Sequence, residues 1–400
     1  MLRFDQDQMR YMRRVLVHFP GFEPLTAAQH RQRFSRAAVK TAGLWDTQIS
    51  VGDANVGAPS FSFDVAASGG DWSSETTVHV LDHNDIVERL NGQAFHKRLW
   101  NGFQAAGSVV LEGGAFAYFR HAWRFGLFFI FPFLMMLLAF AATLALLVLP
   151  WMVSPTIWLA AISPVLAYLL FFHLILPWFG KNHVLHLFAD WELAVAVARL
   201  DKEELDEWLS SSAAALTAAL REPADEYVLT SHSMGSALAT HVLGMVLERH
   251  PDILSGKRLV FVTLGGALLQ ASLMRSAARL RARAGLVLRY PAISWLEVQC
   301  LTDVISFYKA PVAALTGHPD APQPRLIFLR LKAMLAADRY RRIKRDFLRV
   351  HRQYVLDADK RSHFDFVFMA VAPYSAEYLG LPEQEIAALE ASEPKARRLA

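Results

Sequence analysis

The apolar positions of the chain follow two different patterns. In the middle they are continuous: residues 125–149 carry no charged side chain, and residues 156–179 carry no Asp, Glu, Lys or Arg. About 20 residues of helix cross a hydrocarbon core at roughly 1.5 Å rise per residue, so each stretch is long enough to span a bilayer. Pro150, Ser154 and Pro155 lie between the stretches and predict a tight turn. The region 120–182 therefore reads as a transmembrane helical hairpin whose two ends emerge on one side.

Outside the hairpin the apolar residues come in short runs. Val15–Val17 predicts a strand, followed by a polar helix at 26–40 and further strands at 47–51, 61–65 and 77–81. Beyond the hairpin, Asp201 and Glu204 have the spacing of a capping box and predict a helix to about Leu220, which Pro223 stops. A strand at Tyr227–Thr230 precedes a helix at 237–248 with Leu238, Val242, Met245 and Val246 at helical spacing. Strands follow at 259–264, closed by Gly265-Gly266, and at 294–301. The Arg-rich, amphipathic stretch 270–292 suits either a lid or a solvated helix. Strands alternating with helices predict an α/β fold, a mostly parallel sheet with helices on both faces. Residues 1–119 and 183–400 would then form one domain interrupted by the hairpin. No internal repeat or long low-complexity tract is present, and the polar tail from Glu393 reads as frayed.

Composition adds to this picture in three places. The apolar share of 54% exceeds that of an ordinary soluble domain because of the hairpin. The net charge is +4 and uneven: Arg120, Arg124 and Lys181 flank the two spans, whereas the turn has no Lys or Arg. By the positive-inside rule the flanks and both termini are cytoplasmic, and Trp151, Trp158 and Trp178 lie where interfacial aromatic residues are favoured. Pro132 and Pro164 fall inside the spans as possible kinks, and His173 reads as a hydrogen-bonded packing residue rather than a proton relay. A later cluster, Arg339, Arg341, Arg342, Lys344 and Arg345, reads as a solvated helix face, with anionic headgroups as the alternative contact. Cys300 is the single cysteine, so no intramolecular disulfide forms, and it reads as a buried strand residue. Residues 1–14 are charged, unlike a secretory signal. No nucleic-acid-binding motif is found.

The informative chemistry lies in Ser231-His232-Ser233-Met234-Gly235, between a predicted strand and a predicted helix. This is the setting of a nucleophile elbow, a sharp turn that exposes a serine hydroxyl above a helix N-terminus. Ser231 replaces the first Gly of the usual G-x-S-x-G pattern but remains small. A serine nucleophile needs a carboxylate and then a histidine later in the chain. Asp303 follows the 294–301 strand and is the candidate acid, with mid-strand Glu297 as the weaker one. His318, His351 and His363 are the candidate bases; His318 sits in a Pro/Gly-rich loop and ranks last, while periodicity does not separate His351 from His363. His18-Phe19-Pro20-Gly21-Phe22 ends the first strand. Gly21 permits close backbone approach, so the N–H groups of Phe22 and Met234 are the candidate oxyanion donors. The plain alternatives are a strand-to-helix turn at each loop and a capping role for Asp303.

On these residues the chain resembles the α/β-hydrolase superfamily, in particular its lipase- and esterase-like members. The resemblance is carried by the 18–22 loop, the 231–235 elbow, Thr263-Leu264-Gly265-Gly266 and 295–303. The chain also looks like a group of bacterial hydrolase-like proteins with a Pro-Gly-Phe-Asp/Glu-Pro element, here Pro20–Pro24, and a late His-x-Gln-Tyr element, here His351, Gln353 and Tyr354. That likeness implies His351 as base, with His363 as runner-up, and an inner-membrane location. It implies a serine hydrolase cleaving an ester or thioester of a lipid-like substrate through an acyl-enzyme, with the bilayer as partner and no metal or organic cofactor. A non-catalytic membrane scaffold and an acyltransferase with the same triad are the competing expectations. A transporter fits poorly, because two spans with one titratable residue offer little pathway.

Overall fold

A computed structural model describes residues 10–57, 60–153, 157–382 and 385. The Ser154–Pro155 part of the predicted turn and the tail from Glu393 lie outside the described residues. The chain divides into two compact units, Met1–Asn84 with Val197–Ala400, and Asp85–Ala196.

The first unit is an α/β fold around eight strands: β1 (Arg10–Phe19), β2 (Gln48–Gly57), β3 (Ser60–Gly69), β4 (Trp72–Val80), β5 (Glu226–His232), β6 (Leu259–Leu264), β7 (Ile293–Cys300) and β8 (Arg325–Leu329). They form one sheet in the order β2-β3-β4-β1-β5-β6-β7-β8. Within it β3 runs antiparallel to both neighbours, and every other neighbouring pair is parallel. All residues of β5 and β6 are buried, as expected for central parallel strands covered on both faces.

Helices cover both sides. Those named below are α1 (Ala27–Trp45), α2 (Glu203–Ala219), α3 (Gly235–Arg249), α4 (Ala278–Arg289), α5 (Phe347–Arg352) and α6 (Phe366–Val371). Alternation along the strands sends Leu16, Val228, Val260 and Val262 into one core with Phe34 and Ala38 of α1, Val350 of α5 and Val367 and Val371 of α6. The chain leaves β1 through α1 towards β2–β4, and leaves β5 through α3 towards β6. The two connections diverge between β1 and β5, the kind of switch point where open α/β sheets place ligands beyond the strand C-termini.

Several expectations change. Lys202, not Asp201, is the N-cap of α2, and no side chain caps it; Leu200 takes φ 53°, which carries Asp201 out of capping geometry. Of the two readings of residues 270–292, the helical one matches the observed stretch. These residues contain α4, which lies between β6 and β7 in the chain, buries Leu280, Ala284 and Val287, and packs Arg283 where a Cβ on Gly244 of α3 would sit.

The second unit is helical and broader than a bare hairpin. It includes helices Phe95–Leu111 and Gly114–His121, and most of helix Val184–Arg199. The first apolar stretch lies in one helix, Trp123–Val153, with both Pro132 and Pro150 inside it. Pro150 therefore does not begin the turn but lies within the last turn of this helix. The second span is helical over Ile157–Leu169 and Leu176–Lys181, with a π-helical stretch Leu170–Ile175 around His173. Two stretches, Trp123–Met152 and Ala161–Lys181, are long and apolar enough to cross a membrane, and only 22% of the most apolar window of each is buried. A core helix of a soluble protein would be mostly buried.

At the N-terminal edge of the sheet Arg14 is fully buried against Glu226, with Nε and Nη2 each 2.8 Å from Oε2. Its other donors reach the carbonyls of Ala370 (2.9 Å), Ala372 (3.2 Å) and Tyr374 (2.9 Å), just where α6 ends and its carbonyls lack partners. Glu226 also accepts from Ser375 Oγ and from the Ala376 amide. Glu226→Gln leaves this guanidinium buried without a counter-charge and is expected to cost about 3–5 kcal/mol, read as a loss of unfolding free energy in chemical denaturation.

Candidate functional site

The site grows from one backbone turn. Ser233 follows β5 at φ 53°, a left-handed conformation that costs a non-glycine residue about 1–3 kcal/mol. Three hydrogen bonds to its carbonyl hold it there, from Ser236 N (3.0 Å), Ser236 Oγ (2.6 Å) and Ala267 N (3.1 Å), and its own amide donates to Leu264 O (3.2 Å). Met234 then starts α3, so its N–H belongs to a first turn with no intrahelical acceptor. The Ser233 side chain is partly exposed, whereas Ser231, His232 and Met234 are buried.

Two glycines allow the loop after β1 to approach this turn. A Cβ on Gly235 would lie 2.5 Å from the Phe19 carbonyl oxygen and collide with that of Pro20. A Cβ on Gly21 would lie 2.9 Å from His232 Nδ1 and 3.1 Å from Ser233 Cβ. Phe22 follows directly and is buried. The 20–23 loop is thus seated against the elbow, as the oxyanion-loop expectation requires.

Asp303 lies just beyond β7 and is buried, as is His351 on α5. His351 Nδ1 is 2.8 Å from Asp303 Oδ2, and Tyr354 OH donates to the same oxygen at 3.0 Å. The other carboxylate oxygen accepts from the Ile305 amide. With Asp303 ionised, Nδ1 carries the proton and Nε2 keeps its lone pair. That Nε2 is buried and has no hydrogen-bond partner among the described residues. The His351 ring packs on His232, the residue before Ser233, with centroids 4.7 Å apart. His232 Nε2 is also 3.0 Å from the His351 carbonyl oxygen.

The remaining candidates fall elsewhere. His363 is exposed and meets the Phe328 carbonyl, so as runner-up base it has no carboxylate partner. His318 contacts Arg281 O and Arg289. Glu297 is buried in β7 beside Gln299, and burial raises its carboxyl to about 7. Cys300 is buried at the end of β7, as expected. In the basic cluster Arg339 pairs with Asp357 and Asp359, and Arg342 with Asp338, which fits a structural, solvated face.

Sequence reasoning missed a second polar layer behind the site. Glu23 pairs with Arg33 at 2.7 Å and faces His232 Nδ1 at 3.5 Å; Arg33 also meets His30 Nδ1 at 2.8 Å. Burial opposes ionisation of Glu23, but Arg33 and His232 hold its carboxyl well below the usual range. Burial lowers His30 to about 3 and His83 to about 4, and it also lowers His18 and His232. Tyr354 was noted only as part of a motif, and the one available signal for Glu23 was its place in Pro20–Pro24.

Comparison with known protein-family models, curated proteins and solved structures finds no match to this chain.

The buried histidines make a signed prediction. An unfolded His83 binds its proton near pH 6.5, while the folded one stays neutral down to about 4. Its contribution to stability is full above pH 6.5 and is lost as pH falls towards 4. At pH 5 the loss is about 2 kcal/mol for this group. Glu297 acts in the opposite sense, because its raised carboxyl is penalised at neutral pH and relieved on acidification. Denaturation at pH 7 and pH 5 should therefore show a stability drop in wild type that shrinks by about 2 kcal/mol in His83→Gln.

Proposed function

We propose that this protein is a membrane-anchored serine hydrolase with an α/β-hydrolase fold, cleaving an ester or thioester of a lipid-like substrate. The observation that carries the reading is the Asp303–His351 pair, whose Nε2 has no hydrogen-bond partner among the described residues, packed on the residue before a serine held at positive φ. In this mechanism Ser233 Oγ attacks the acyl carbonyl carbon while His351 Nε2 takes its proton. Asp303 keeps the imidazole in the Nδ1–H tautomer and stabilises the imidazolium, and Tyr354 holds Asp303 in place. The N–H groups of Met234 and Phe22 receive the oxyanion, aided by the N-terminal dipole of α3. His351 then protonates the departing alcohol or thiol. A water molecule, deprotonated by the same Nε2, attacks the acyl-enzyme and releases the acid.

The hairpin supplies the anchor. Arg120, Arg124 and Lys181 at its ends, and a turn without Lys or Arg, support flanks and termini on the cytoplasmic side. A catalytic unit tethered at both ends of a membrane hairpin meets substrates that partition into bilayers, which is the argument for a lipid-like acyl group.

Labelling of the detergent-solubilised protein with a fluorophosphonate tests the reading. Wild type should label, and Ser233→Ala should not. His351→Ala should reduce the labelling rate by at least about a thousandfold, and Asp303→Asn by about a thousandfold or more through loss of the correct tautomer. His363→Ala should label like wild type. A folded wild type that does not label would end the enzyme reading in favour of a scaffold. Labelling without release of fatty acid from phospholipid or acylglycerol vesicles would end the lipid assignment.

A further inference from the structure

The described residues expose large apolar side chains in an uneven way. Outside the spans and the segment before them, only Tyr11, Val39, Leu286, Leu301 and Phe328 are that open, and they are scattered along the sequence. In the segment leading to the first span, Trp100 is 67% exposed, Leu111 75%, Phe116 72% and Trp123 59%. These residues belong to the helices Phe95–Leu111 and Gly114–His121 and to the first residue of the span.

Each helix has an inner side that accounts for its fold. Phe95–Leu111 buries Gly102, Ala105 and Val109, and a Cβ on Gly102 would overlap the Phe188 ring. Gly114–His121 buries Tyr118 against Phe125, Phe129 and Trp191. Trp100, Gln104 and Leu111 recur at the spacing of one open helix face. Phe116, Arg120 and Trp123 are likewise exposed, and the exposure continues at i+3 and i+4 steps through Leu127, Ile130 and Leu134 of the span. The open apolar residues before the span thus lead along the chain directly into the exposed apolar residues of the first apolar helix. A soluble protein does not leave such a patch unpartnered without function.

Charge identifies the occupant. Residues 95–124 contain Lys97, Arg98, Arg120 and Arg124 against a single acid, Glu112. Arg124 lies over the Trp123 ring, its guanidinium 5.6 Å from the centroid, a pairing suited to the headgroup level. Ala122, at φ −154° and ψ 70°, breaks the helix before the span, so the preceding helices need not follow the span's axis.

We infer that Phe95–Trp123 is an interfacial segment that seats Trp100, Leu111, Phe116 and Trp123 in the headgroup–acyl boundary of an anionic phospholipid leaflet. The inference rests on the membrane-spanning reading of the hairpin and is independent of the hydrolase chemistry. Apolar area and basic charge act together here, as in monotopic amphipathic helices.

The test uses the full-length protein in a Cys300→Ala background. Single cysteines replace Trp100, Phe116, Leu138 in the first span, or exposed Glu203 at the start of α2, and each carries a nitroxide. The protein is reconstituted into phosphatidylethanolamine–phosphatidylglycerol vesicles. Accessibility to an aqueous nickel chelate and to oxygen is then read. Labels at 100 and 116 should lose nickel access relative to 203 and gain oxygen access, at a shallower depth than 138. In neutral phosphatidylcholine vesicles they should move back towards water. If 138 is shielded while 100 and 116 remain open to nickel, the interfacial inference is overturned and the hairpin stands. If 138 is also open to nickel, the hairpin reading falls, and the inference with it. Unchanged depth in neutral vesicles would overturn the anionic-lipid assignment.

Discussion

The structure depends most on the contact between the loop after β1 and the turn after β5. Backbone meets backbone there, and Gly235 and Gly21 are what make room for it. The contact occurs where the connections from two parallel neighbours diverge. Ser233 keeps its positive φ because its carbonyl is held by three donors and its amide by Leu264. Replacing either glycine would push the loop away, and the elbow and the candidate oxyanion loop would separate together.

Two buried electrostatic groups fix the sheet on either side of that contact. Arg14 and Glu226, 212 positions apart, tie β1, β5 and the chain after α6 at the N-terminal edge. Asp303, His351 and Tyr354 join the turn after β7 to α5 at the opposite edge. Such pairs cost desolvation, and a lone partner costs more, so each group specifies which segments meet. His232 extends the second group: it touches the candidate base through its ring and Nε2, Glu23 of another loop through Nδ1, and the candidate nucleophile through the chain.

Much of this was legible because it is local. The short apolar runs located most strands, and their observed bounds are longer chiefly at polar ends such as Trp72–Thr76, where pairing rather than hydrophobicity extends the ladder. The strand–turn–helix at 227–248 identified Ser233, and a strand end identified Asp303. The edge strand β8, Arg325–Leu329, was not found. Periodicity did not separate His351 from His363; what distinguishes them is a carboxylate 48 positions away that meets His351. The Glu23–Arg33–His232 layer was illegible for the same reason, since charge pairing across loops leaves no period in the sequence. Asp201 misled because a capping box describes residue types, while the cap depends on the backbone angle at Leu200.

The sheet itself also constrains the membrane topology. Strand β1, before the inserted unit, pairs along its length with β5, after it, from Arg14↔Glu226 to Phe19↔Ser231. A hydrogen-bonded parallel pair of this kind cannot be shared across a bilayer, because unclosed strands have no means of satisfying their backbone groups in hydrocarbon. Both flanks of the insertion must therefore lie on one side, and any membrane crossing by the chain between them must occur an even number of times. The two apolar stretches satisfy that parity, and a single span or three would not. The same conclusion follows from the lysine and arginine distribution by a separate route, since that argument uses charge at the helix ends and this one uses strand register. Both arguments support the hairpin proposed above: an insertion with two crossings would enter and leave the bilayer without disturbing the β1–β5 contact on which the candidate site is built.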